Sequence, residues 1–163
     1  MSRAGASLLS VVGAGNSFQT VLTISTGTYA AGFVVGGSMT IPEAATTGGR
    51  GYVYSAKVAG QTTANPYELW FFNTDLVTPP TDNQALALVA ADAPKFLGAL
   101  PIGVGSYFTP ASGFTPAAAT GIGLVVKTTA NNTNVITYLK NVAASTGGAN
   151  TSLWVTVDVD FMD

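Results

Sequence analysis

The sequence predicts an all-β protein: a single β-sandwich or jelly-roll-like domain with an extended N-terminal arm and one short helix. Three observations carry this. Short runs rich in Val, Ile, Thr, Tyr, Phe and Trp recur along the chain. Turn signals built from Gly, Pro, Asn, Asp and Ser separate them about every 8–15 residues, giving about eight to ten strands. Helical periodicity is confined to one brief stretch. A chain of 163 residues is long enough for one domain to bury roughly 68–70% of its unfolded surface, so no metal or disulfide is needed to hold the core.

Residues 1–17 are small, Gly/Ser/Ala-rich and nearly uncharged. They read as an arm, with the sandwich domain over 18–163. Met1 to Gly15 faintly resembles a secretion signal, but Ser10 and Gly13 break the apolar run and no clear cleavage site follows. Val11-Val12-Gly13-Ala14-Gly15 superficially resembles a dinucleotide fingerprint. Phe18 stands at the third glycine position and no helix pattern follows, so that site is rejected.

Phe18 to Ser25 is β-branched and reads as a strand. Thr26 to Tyr29 is a turn. Phe33 to Ile41 is a second strand, in which Gly36-Gly37 predicts a bulge or bend. Pro42 to Gly49 is a loop. Arg50 to Val58 alternates, which puts Tyr52, Tyr54, Ala56 and Val58 on one face and Val53, Ser55 and Lys57 on the other. Gly60 to Pro66 is a polar turn.

Leu69-Trp70-Phe71-Phe72 is continuously apolar, as in a strand covered on both faces by core and by a loop or partner. Asn73 to Asn83 is a loop, since Pro79-Pro80 is incompatible with a central strand. Ala85 to Val89 fits either strand or helix. Ala91 to Gly98 reads as the short helix, with Asp92 as N-cap, Pro94 in the first turn and Gly98 at the end. Leu100 to Val104 is a strand. Residues 105–120 form a Gly/Pro/Ala/Thr loop carrying Tyr107, Phe108 and Phe114. Gly121 to Lys127 and Val135 to Leu139 are strands around an Asn-rich turn. In Leu153 to Phe161, Leu153, Val155, Val157, Val159 and Phe161 face one way, and Trp154, Thr156, Asp158 and Asp160 the other.

Composition narrows the function. The chain has no cysteine and no histidine, which removes thiol catalysis, Cys/His zinc sites and Ser-His-Asp arrangements. Asp158, Asp160 and Asp163 sit close in sequence but lack a calcium-loop spacing, so they read as a solvated strand face. The eight acids form no recognisable glycosidase pair, and no metal or cofactor is expected. Asn131-Asn132-Thr133 and Asn150-Thr151-Ser152 match glycosylation sequons, here read as chance. The six cations, Arg3, Arg50, Lys57, Lys95, Lys127 and Lys140, are scattered, which argues against nucleic-acid binding. No apolar run is long enough for a membrane helix.

Only 9% of residues are charged, against about 25% in an ordinary globular domain. Such a chain either solvates itself with Thr, Ser, Asn and Gly, or covers its surface with other protein.

Several segments, in order and spacing, resemble one group of proteins. These are Tyr29-Ala30-Ala31-Gly32-Phe33-Val34-Val35-Gly36-Gly37, then Gly49 to Val58, then Glu68-Leu69-Trp70-Phe71-Phe72-Asn73. Pro79-Pro80-Thr81-Asp82-Asn83 leads on to Ala90-Ala91-Asp92-Ala93-Pro94-Lys95-Phe96-Leu97-Gly98, and a Leu153-Trp154 strand precedes Phe161-Met162-Asp163. The pattern resembles the capsid decoration, or cement, proteins of tailed bacteriophages. It covers roughly Tyr29 to Gly98 and the tail. Phe33 stands where similar sequences often carry an acid, and residues 105–150 match only as generic β-rich sequence.

The resemblance implies a non-enzymatic virion protein on the outer surface of the capsid. It would bind the major capsid protein and self-associate, as a trimer rather than a dimer. The arm and the loops 73–83 and 105–120 would carry contacts, and the candidate interface residues are Phe18, Trp70, Phe72, Pro79, Pro80, Tyr107, Phe108 and Phe114. The alternative is a carbohydrate- or receptor-binding β-sandwich of a fibre or spike, with Tyr52, Tyr54, Trp70 and Trp154 as stacking residues.

Overall fold

The computed structural model describes residues 16–60, 64–106, 108, 116–146 and 152–162. The expected arm therefore lies outside the described residues, apart from Asn16 and Ser17. Those two belong to the first strand.

The fold is a sandwich of two antiparallel four-stranded sheets. In chain order the strands are β1 (Asn16–Thr23), β2 (Thr28–Tyr29), β3 (Val34–Ile41), β4 (Arg50–Ala59), β5 (Tyr67–Phe72), β6 (Phe96–Ile102), β7 (Ala117–Lys127), β8 (Val135–Asn141), β9 (Ser145–Thr146) and β10 (Ser152–Met162). One sheet has the order β1-β10-β4-β7 and the other β3-β8-β5-β6, while the two-residue strands β2 and β9 pair separately. Counting only the eight long strands, the orders are first-eighth-third-sixth and second-seventh-fourth-fifth. That alternation between sheets is jelly-roll connectivity.

The alternation of side chains builds the core between the sheets. Leu22 of β1, Val53, Ala56 and Val58 of β4, and Leu153, Val155, Val157 and Val159 of β10 meet Leu69 and Phe71 of β5, Ile102 of β6 and Leu139 of β8 in one buried cluster. The Gly36-Gly37 pair marks a break in β3 as expected. Both residues have positive φ, 77° and 83°, and the pairing with β8 shifts between Val34 and Ser38. Gly36 also lies against β1, where a Cβ would overlap Leu22.

Three local readings are corrected. In β4, Val53 is buried with Ala56 and Val58 rather than opposite them. Tyr54 is skipped in the pairing with both β10 and β7, a bulge that reverses the faces midway. Residues 117–120 belong to β7 rather than to a loop; they are held by pairing to β4 from Val58 to Ser55. The strands β7 and β8 lie in different sheets, so the Asn-rich turn between them crosses the sandwich. The stretch 85–89 is neither strand nor helix, apart from a single bridge from Ala85 to Phe33.

The expected short helix is a 3₁₀ turn, Ala90–Lys95, and a second one follows at Val104–Ser106. Asp92 is not its N-cap. Val89 holds that place and Asp92 sits three residues on, while Gly98 lies inside β6.

Candidate interaction surface

The proline loop between β5 and β6 is the longest excursion from the sandwich, and two carboxylates hold it down. Asp82 anchors its middle. It accepts the Tyr29 hydroxyl at 2.7 Å, the Ser25 N–H at 2.9 Å and the Gly36 N–H at 2.6 Å. The second anchor is Asp92, which is buried. It accepts the Val77 N–H at 2.9 Å, the Val89 N–H at 3.2 Å and the Lys95 ammonium at 3.0 Å. Lys95 also donates to the Asp75 carbonyl at 2.8 Å. Burial pushes the Asp92 carboxyl up, but the two backbone donors and the Lys95 ammonium outweigh it and hold the group below its ordinary value.

Because Asp92 holds both Val77 and Val89 by their N–H groups, two valines from distant parts of the loop stand side by side. Their side chains are 57% and 49% exposed. Beyond the 3₁₀ turn, Phe96 is also exposed and stacks on Trp70 at 5.0 Å and on Phe72 at 5.6 Å between ring centroids. Val77 and Val89 are thus exposed on a loop tied down to the sandwich, and Phe96 is exposed where that loop enters β6.

Trp70 is half-buried and fixed on three sides. Its Nε1 donates to Glu68 at 2.8 Å, Lys140 lies 4.6 Å over its ring, and Phe96 covers one flank. The Lys140–Glu68 ion pair is 2.6 Å, and the Lys140 and Trp70 hydrogen bonds hold the Glu68 carboxyl below its usual range.

The interface candidates read from sequence divide sharply. Phe108 is 65% exposed and its N–H is tied to the Pro116 carbonyl at 2.8 Å. Pro79 is exposed, and Phe18 is partly buried against the core edge. Phe72 and Pro80 are buried and unavailable as contacts. Phe72 packs with Val34, Leu76, Ile136 and Tyr138 in a second core cluster. The second cover of the β5 strand is therefore the chain's own loop. Tyr107 and Phe114 lie outside the described residues. Val77, Val89 and Val104, the last 61% exposed, escaped the sequence reading. Single valines carry no signal there, because exposure depends on how the loop folds.

Asp158 is also corrected. It is buried rather than solvated and accepts the Ser55 hydroxyl and the Lys57 ammonium at 3.4 Å. Burial raises its carboxyl, but the Ser17 and Ser55 hydroxyls and Lys57 together bring it below the ordinary value. Among the described residues no group of three or more His, Cys, Asp or Glu side chains gathers to hold a metal. No helix among them is long and apolar enough to cross a membrane.

Comparison of the chain with protein-family models and with curated proteins finds no match.

Proposed function

We propose that this chain is a non-enzymatic structural protein that decorates the outer surface of a tailed-bacteriophage head and stabilises the shell by bridging major capsid protein subunits. The observation that carries the reading is the exposure of Val77 and Val89 on a tethered loop, and of Phe96 where the loop enters β6, on a chain in which only 9% of residues are charged. Aromatic and aliphatic side chains on a fixed loop lose little entropy on docking and bury apolar area when they do. The segment pattern from Tyr29 to Gly98 supports the same reading by its resemblance to decoration proteins, which also implies trimers.

Stabilisation follows from mass action. A protein that binds the assembled shell and not its separated subunits raises the free energy of disassembly. Cosedimentation of the purified chain with undecorated, expanded heads tests the reading. Saturable binding supports it. A truncation lacking residues 1–15 measures the arm's share, because β1 begins at Asn16 and is left whole.

A second reading, a glycan-binding sandwich, is favoured by one observation. Trp154 is 40% exposed, and its ring lies so close to Gly60 that a Cβ there would come within 2.8 Å of it. Trp70, by contrast, is on the other sheet and already engaged by Glu68, Lys140 and Phe96. A glycan array separates the readings, since a decoration protein gives no saturable sugar binding.

A further inference from the structure

Strands at the edges of sheets carry unpaired N–H and C=O groups, and proteins usually blunt them with charge, proline, bulges or a covering element. Three of the four edges here are blunted. The β3 edge is broken at Gly36-Gly37. The β6 edge carries Pro101, and its pairing with β5 shifts between Phe71 and Phe72. The β7 edge has an irregular pairing with β4 and lies against β6, so closely that a Cβ on Gly98 would come 2.5 Å from Leu124 Cδ1.

Among the described residues, the β1 edge has none of these devices. Its sequence, Asn16-Ser17-Phe18-Gln19-Thr20-Val21-Leu22-Thr23, contains no charge and no proline. All eight residues pair with β10 in unbroken register. Among the described residues, no backbone hydrogen bond outside the β1–β10 ladder reaches this strand. Leu22 is covered by Gly36 of β3, and the strand before it carries one apolar residue on each face, Phe18 and Val21, among uncharged polar ones. Phe18 is only partly buried at the core edge. Val21 is 53% exposed on the outer face, beside Trp154, its partner in register.

We propose that β1 is a self-pairing edge, at which the β1 strands of two copies of this chain join antiparallel about a two-fold axis normal to the sheet. A second copy is the occupant that this edge fits. Two identical uncharged strands meet without like-charge repulsion, and the contact is isologous, the same surface on both copies. Such an axis keeps inward residues opposite inward ones. With Thr20 on the axis, Phe18 of each copy meets Leu22 of the other, and Gln19 meets Val21. The core edge at Phe18 is then closed and a continuous eight-stranded sheet results. The inference does not depend on the shell reading, and it departs from the three-fold clustering that the resemblance implies.

Sedimentation equilibrium of the full chain tests it. The wild type is expected to approach the mass of two chains reversibly with concentration. The double variant Gln19→Lys/Val21→Lys places like charges across the axis on an already exposed face, so it should associate at least about tenfold more weakly while keeping the wild-type circular dichroism. Val104→Lys, at the opposite edge of the sandwich, should associate like the wild type. A wild type that stays at one chain mass, a trimer indifferent to the double variant, or unchanged dimerisation in that variant overturns the proposal. Should the double variant fold poorly, hydrogen exchange on the wild type decides. Slower exchange of β1 amides at high protein concentration supports the pairing; identical exchange at low and high concentration refutes it.

Discussion

The Tyr29 hydroxyl donates to the Asp82 carboxylate at 2.7 Å across 53 residues of sequence. This contact fastens the proline loop to the chain reversal before β3. The same carboxylate takes the Ser25 and Gly36 N–H groups, so one side chain joins three segments. Asp82→Ala takes the acceptor from the Tyr29 hydroxyl and the Gly36 N–H, while the Ser25 N–H keeps only the Tyr29 hydroxyl oxygen, and should destabilise the fold by about 1–3 kcal/mol. Tyr29→Phe removes one of the three donors and also the hydroxyl oxygen that accepts the Ser25 N–H at 2.8 Å, a group that Asp82 still accepts, and should cost about 1 kcal/mol. Urea unfolding checks both: the midpoint should fall with the slope unchanged, and further for Asp82→Ala. Equal midpoints for the two variants would contradict the three-way role.

Asp92 makes loop stability depend on pH. Its carboxyl lies below the ordinary value in the folded chain. A depressed folded value means that the stabilisation is present above the unfolded value, about 4, and is lost as pH falls through the folded one. Exchange of the Val77 and Val89 amides should therefore stay slow, relative to the intrinsic rate, at neutral pH and lose protection below about pH 4. Asp92→Asn should show reduced protection already at neutral pH and little further change in acid.

Two glycines should respond very differently to alanine. Gly32 has φ 86° with open space around it, whereas Gly36 has φ 77° and lies against Leu22. Gly32→Ala pays only the backbone strain, about 1 kcal/mol. Gly36→Ala adds a steric conflict between the two sheets and should lower the melting temperature considerably more. Equal losses would mean that the β1–β3 approach is looser than described.

Phe72 is a core residue. Its ring meets Tyr138 edge-on at 5.8 Å, beneath a loop that also buries Leu76. The Tyr138 phenol there is pushed up to about 12 by burial, with Asp75 and Asp92 adding to the shift. Phe72→Ala should cost about 3–5 kcal/mol, read by chemical denaturation. A variant of wild-type stability that had lost only binding would return Phe72 to the surface.

Signals carried by neighbouring residues were legible in the sequence. The β-branched runs marked the strands, Gly36-Gly37 marked the break in β3, and Leu153 to Val159 displayed its buried face by alternation. Signals that depend on distant partners were hidden. The β4 bulge at Tyr54 has no glycine or proline to announce it, because the skipped residue is set by β10 and β7 on either side. Pro80 and Phe72 look like surface aromatic and turn chemistry until the loop folds over them. Asp158 looks solvated until Ser55 and Lys57 are brought beside it. The exposed apolar side chains were half legible. Phe108 stood out as an aromatic in a loop, while Val77 and Val89 are adjacent only because Asp92 holds both backbones.

The most direct measurement is add-back of the purified chain to heads that lack it, followed by calorimetry of the shell. Saturable binding and a higher disruption temperature are expected. Val77→Asp/Val89→Asp should weaken both while leaving the chain's own unfolding nearly unchanged, since both side chains are exposed. Heads that neither bind the chain nor gain heat stability from it would contradict the decoration reading. Wild-type binding by the double variant would contradict the place assigned to the contact.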